Sequence, residues 1–104
     1  MAARETEQFI YVTTTGRKSG EPREIEIWFT EHEGRYSIIA EHGSRANWVR
    51  NILAKAEVQV RVAGRSFAAT ARVLTDAYDI EMARQRSRAK YGWGDGLVVE
   101  LTPK

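Results

Sequence analysis

Three cations gather around a pair of glycines in "TTTGRKSGEPR", Thr13 to Arg23: Arg17 and Lys18 sit between Gly16 and Gly20, and Arg23 follows Pro22. Glycines let a backbone approach an anion closely, and the amides of such a turn join Arg and Lys in supplying its counter-charge. The string is not a Walker loop, because the second Gly-Lys-Ser/Thr element and the strand-to-helix setting are both missing. On spacing alone it fits an anion site or a solvated hairpin tip. Arg23, opening the next strand, can return to the same anion and favours the first reading.

Two further groupings carry chemistry-bearing side chains. In "NWVRN", Trp48 and Asn51 stand three apart, so both can face one ligand across a helical turn. The alternative is a core indole and an amide bonded to backbone. Glu24, Glu26 and Trp28 share one strand face and, with Tyr91 and Trp93, either line a pocket or form a solvated outer face. His42, beside Glu41, is a phosphate donor or a turn residue, and His32 belongs to an exposed hairpin tip. With no cysteine, two histidines and singly scattered acids, no transition-metal site is expected. No Ser-His-Asp pattern or paired-acid motif emerges, so in an enzyme the reactive atom belongs to a cofactor.

The elements that must position these residues follow from periodicity. "QFIYVTTT" is β-rich and enters the glycine turn. "REIEIWFT" alternates, with Ile25, Ile27 and Phe29 on one face and Glu24, Glu26 and Trp28 on the other. "EHEG" turns into a third strand, "RYSIIAE". In "SRANWVRNILAKAE" the period changes to a helical stripe of Val49, Ile52, Leu53 and Ala56, with Ser44 as N-cap. "VQVRVAGRSFAATARVL" reads as two strands joined at Ala63-Gly64. Thr75 is placed as the cap of a second helix whose early acids and late cations match the helix dipole, Gly92 closes it, and "GLVVELTP" is a final strand. The order β-β-β-α-β-β-α-β, joined mostly by hairpins, excludes a doubly wound parallel sheet. An α+β fold, a small antiparallel barrel with two main helices, is the economical solution.

The chain's 104 residues suit a single domain over 1–104, with residues 1–8 a frayed N-terminus. Hydrophobic residues at 42% and charged ones at 29% are ordinary globular values. No apolar run approaches the roughly eighteen residues of a membrane span. "MAARETEQ" lacks the apolar core of a signal peptide, and the absence of cysteine fits the cytoplasm. The net charge is only +2, yet arginines outnumber lysines twelve to four, a bias toward anionic ligands. Fourteen acidic residues interleaved with the cations argue against nucleic acid as a partner.

"YVTTTGRKSGEPR", the strand ending "WF", "NWVRN…AEVQVRV" and "ATARVL" together resemble the deazaflavin-dependent nitroreductase family, small split β-barrels related to pyridoxamine-phosphate-oxidase-like flavoproteins. The resemblance runs from Phe9 to the end of the chain. It implies coenzyme F420, a deazaflavin with a phosphate and an oligoglutamate tail, and a reductase passing hydride to a quinone, enone or nitro compound. Carried over by position, Arg17, Lys18, Ser19 and Arg23 hold the anionic part; Glu41, His42 and Gly43 line the cofactor; and the helix adds Trp48 and Asn51. Glu26, Trp28, Tyr91 and Trp93 are the expected substrate pocket, with Tyr91 or a water as the proton source. Two positions depart from the family pattern: Glu26 stands where many members have proline, and Glu41 where they have a small hydroxyl residue.

Two alternatives stay open on the sequence. FMN has a single phosphate that can use the same cations, and a non-catalytic binder of a phosphorylated or apolar ligand can keep the fold without turnover. The expected partner is a small-molecule substrate. A weak homodimer is left open, although the Glu24/Glu26 face is a poor dry interface.

Overall fold

The computed structural model describes residues 7–104. The expected fraying of residues 1–8 therefore lies, for residues 1–6, outside the described residues. β1 (Phe9–Thr15) and β2 (Pro22–Trp28) form a hairpin around the glycine turn, in register from Phe9↔Trp28 to Thr15↔Pro22. Ile10, Val12 and Thr14 point inward from β1 and are buried, as a two-residue period requires. β3 (Thr30–His32) and β4 (Arg35–Ala40) form a second hairpin. A short 3-10 turn, Gly43–Arg45, then leads into α1 (Asn47–Ala54). β5 (Glu57–Val62) pairs with β6 (Arg65–Val73), followed by α2 (Ala77–Tyr91) and β7 (Leu97–Pro103).

All pairings are antiparallel, in the order β2-β1-β5-β6-β7-β4-β3. β2 and β3 lie at opposite edges of this sheet, yet only Phe29 separates them in the chain. The edges must therefore meet at Phe29, which curls the sheet into a barrel. Beside that closure a cavity opens between β2 and β4. The interior is filled by Ile10, Val12, Tyr36, Ile38, Val60, Val99 and Leu101 among others. A second cluster, Ile39, Leu74, Ala83 and Val98 with Ile80 and Trp93 against it, seats α2 on the outside.

The α+β split barrel expected from the sequence is the fold observed, with local corrections. The stretch read as one strand through Thr30 bends at Phe29, so there are seven strands rather than six. Ser44 does not cap α1: it lies in the 3-10 turn, and the helix begins after Ala46 without a side-chain cap. Asp76, not Thr75, caps α2, its Oδ2 accepting from Asp79 N at 2.9 Å. Gly92 closes α2 at φ 80°, as its position implied. On α1 the buried stripe is Val49, Asn51 and Ile52, while Leu53 is 64% exposed and Ala56 lies beyond the helix.

Candidate functional site

The glycine turn is a built structure. Gly16 N donates to Glu21 O and Gly20 N to Gly16 O, each at 2.8 Å, and Ser19 Oγ accepts from Glu21 N at 3.1 Å. Gly16 is itself buried: a Cβ there would stand 2.8 Å from Ser19 Oγ and 3.1 Å from Glu21 O, and 3.7 Å from Arg23 Nε. Arg23 thus returns over the turn.

Arg17 is held from the helix side. Its backbone N and its Nη1 both donate to Asn51 Oδ1, at 3.2 and 3.0 Å, and Nη2 reaches Asn47 Oδ1 at 3.4 Å. Asn51 Nδ2 in turn donates to Thr14 Oγ1 at 3.1 Å. Asn51 is only 4% exposed, so its amide is spent on the protein, satisfying a buried polar group and aiming Arg17. Lys18 has no partner among the described residues, and Arg23 makes only a loose, exposed pair with Glu21 at 3.9 Å.

These groups border a cavity of about 490 Å³ lined by Gly16, Arg17, Lys18, Ser19, Arg23, Ile25, Asn47, Trp48 and Asn51. Six residues singled out in the sequence, Arg17, Lys18, Ser19, Arg23, Trp48 and Asn51, are brought together there. Asn47 and Ile25 were not anticipated.

A second cavity, about 580 Å³, fills the opening between β2 and β4. Glu26, Ile27 and Trp28 line it from β2, Ile39 and Ala40 from β4, and Glu41, His42, Ala46, Trp48, Trp93 and Phe9 complete it. Trp48 belongs to both cavities, so a cationic compartment and a mostly apolar one adjoin across a single indole. Gly43 lines neither. Its φ of 60° instead lets the chain turn toward α1. The apolar lining residues Phe9, Ile27, Ile39 and Ala40 escaped sequence reading because they look like any strand interior.

Trp93 is fixed by the loop after α2. Ser87 Oγ donates to Trp93 O at 2.6 Å and Arg84 Nη2 to Gly96 O at 2.7 Å. Trp28 stacks on Tyr91, centroids 4.4 Å apart and planes 3° from parallel, and meets Trp93 edge-on at 6.5 Å. Tyr91 itself borders neither cavity. Its hydroxyl accepts from Phe29 N at 3.1 Å and has one proton for two acceptors, Gln8 O at 2.7 Å and Phe29 O at 2.8 Å. Lys90 Nζ adds a bond to Phe29 O at 3.0 Å and lies 3.9 Å from the Phe29 ring centroid. Burial pushes the Tyr91 phenol above its ordinary pKa, against a smaller opposing effect from the Phe29 backbone, and burial pushes the Lys90 ammonium down. The geometry therefore puts Tyr91 at the closure of the barrel, and the proton-source role expected of it has no support in its contacts.

On the outer face Glu26 Oε2 accepts from Tyr11 Oη at 2.6 Å, a bond that is the main reason the Tyr11 pKa is raised. Glu24 pairs with Arg61 at 3.2 Å. Among the described residues no group of acids and histidines is arranged to hold a metal ion, and no helix is long and apolar enough to cross a membrane.

Known structures share this architecture. An F420-H2 dependent reductase, FDR-A, superposes with a TM-score of 0.76 at 24% identity, over 89% of this chain and 92% of that one. HutZ, the heme storage protein from Vibrio cholerae, gives 0.80 at 15% identity over 97% and 84%. A putative pyridoxamine 5'-phosphate oxidase from Listeria innocua gives 0.77 at 13% identity over 96% and 86%. At such identities these likenesses establish the split barrel. The family is established by sequence: the model of the F420H(2)-dependent quinone reductases matches residues 3–95, most of the chain, and the chain belongs to that family.

Proposed function

We propose that this protein is an F420H2-dependent reductase of small electron-poor acceptors, quinones foremost. The observation that carries the reading is the pair of adjoining cavities that share Trp48, one cationic and one apolar. A ligand with an anionic tail and a flat apolar ring system fits that division, and family membership supports F420 as the ligand.

Arg17, Lys18 and Arg23 would hold the phosphate and carboxylates, with the Ser19 hydroxyl free to donate because its oxygen already accepts from Glu21 N. Each well-desolvated charge-assisted contact contributes about 1.5–3 kcal/mol. Asn51 and Asn47 aim Arg17, so its fork is ordered before the ligand arrives and less entropy is lost on binding. Trp48 would stand at the junction of tail and ring. Ile27, Ile39, Ala40, Trp28 and Trp93 would receive the ring and the acceptor and exclude water from them. When bound, reduced F420 supplies a hydride, which with one proton from solvent converts a quinone to its hydroquinone. Tyr91 would support Trp28 from behind by stacking, as a positioning residue.

The reading is tested by mixing the protein with F420H2 and a simple naphthoquinone and following F420 absorbance. Acceptor-dependent oxidation at saturable rates is expected. The same protein turning over only with reduced FMN would move it to flavin chemistry, and no turnover with either would make it a binder.

A further inference from the structure

Two acidic residues, Glu26 and Glu41, border the apolar cavity. Glu26 comes from β2 and Glu41 from the segment after β4, so two exposed acidic residues border the cavity from opposite sides of the barrel's opening. Several other acids find cations: Glu24 with Arg61, Glu57 with Lys104, Glu81 with Arg88, and Glu100 with both Arg35 and Arg72. Among the described residues neither Glu26 nor Glu41 makes an ion pair. Glu26 accepts the Tyr11 hydroxyl on one oxygen, and among the described residues its other oxygen has no partner.

Three indoles line the same cavity. Trp28 has one face covered by Tyr91 and remains 40% exposed, Trp93 meets it edge-on, and Trp48 stands at the opposite boundary with the cationic cavity. Aromatic faces and carboxylates around an apolar space are the arrangement that attracts a bulky, weakly hydrated cation: the ring quadrupoles and the fixed charges both favour it, and little desolvation opposes it. We infer that the site selects acceptors bearing a positive charge, an ammonium or other organic cation attached to the electron-poor ring, with Glu26 and Glu41 as specificity-determining residues. This rests on the reductase reading and names its substrate class.

The neighbouring Arg17, Lys18 and Arg23 oppose such a cation when the cationic cavity is empty and are neutralised when an anionic tail occupies it. Preference for a cationic acceptor should therefore grow when F420 is bound.

The test uses a matched pair of probes: a naphthoquinone with a trimethylammonium-tipped side chain, and its neutral counterpart with tert-butyl in that place. Their dissociation constants are read from tryptophan quenching, without F420 and with oxidised F420, while F420 is titrated in parallel. The cationic probe should bind about tenfold tighter with F420 present. That ratio should fall by about threefold or more in Glu26→Gln and again in Glu41→Gln, and shrink as ionic strength rises. A ratio near one in the wild-type protein, or one that both variants leave unchanged, overturns the inference. F420 binding with no cation preference sinks the inference alone. A cation preference in a protein that does not bind F420 upholds the acidic cage and removes the reductase reading instead.

Discussion

The Arg17 guanidinium donates through Nη1 to Asn51 Oδ1 at 3.0 Å, joining the glycine turn to a helix residue 34 positions later in the chain. The Arg17 backbone N reaches the same oxygen, so one amide fixes both the charge and the turn that carries it. On the proposed reading, Asn51 would act on the ligand through Arg17.

Asn51→Leu should therefore weaken F420 binding by about tenfold, close to the effect of Arg17→Ala. The double variant should bind about as poorly as either single one, since both remove the same interaction. Fluorescence titration of the three variants decides this. Additive losses would mean that Asn51 touches the ligand itself. Asn51→Leu alone should also cost about 1–3 kcal/mol of stability, because Thr14 loses its buried donor.

Tyr91→Phe keeps the ring stacked on Trp28 and deletes the hydroxyl that ties Phe29 to Gln8. The expected result is a stability loss of about 1–2 kcal/mol by denaturant titration, discounted for a partly exposed site. The turnover number should stay within about threefold of wild type, since positioning Trp28 needs only the ring. A large loss in the turnover number, recovered by no stabilising condition, would restore Tyr91 as a proton donor.

The same hydroxyl sets a pH dependence. Its pKa is raised by burial, so the folded chain holds the proton more tightly than the unfolded one. The resulting stabilisation is complete below the unfolded tyrosine value of about 10 and declines as pH rises beyond it toward the folded value. Lys90 runs the other way: its lowered pKa makes it give up its proton first in the folded chain, so its contribution improves as pH climbs toward the ordinary lysine value of about 10.4. The stability difference between wild type and Tyr91→Phe should thus be flat through neutrality and shrink above about pH 10.

Gly96 holds a φ of 128° with Ala40 O only 2.5 Å from where a Cβ would stand. Ala40 is a wall of the apolar cavity, so Gly96→Ala must push that wall or the Trp93 loop. A loss of about 1–3 kcal/mol is expected, with a changed tryptophan emission maximum. Unchanged emission with full stability would contradict the close packing of this loop.

The clustering of the candidate site was legible in the sequence because its residues lie close together along the chain. Gly16, Arg17, Lys18, Ser19 and Arg23 lie within eight consecutive positions, and Trp48 and Asn51 share one helical turn. Strand alternation and the Ala63-Gly64 turn gave the hairpins, and with them the barrel. The bend at Phe29 was hidden because alternation runs through it; its backbone is satisfied by Tyr91, 62 residues away. Hydrogen bonds from a side chain to distant backbone leave no periodic trace, so Tyr91 read as a substrate aromatic. Asn51 lay on what helical periodicity marked as a mixed face, and only the buried Thr14 and Arg17 contacts reveal why an amide belongs inside.

The central claim, an F420 site built on the glycine turn, is tested most directly by titrating the protein with F420 and, in parallel, FMN, and repeating both with Arg17→Ala/Lys18→Ala. Tight F420 binding that falls by about a hundredfold in the double variant, at about tenfold per lost charge, is the predicted result. F420 binding that the double variant leaves intact, or binding of FMN alone, would contradict it.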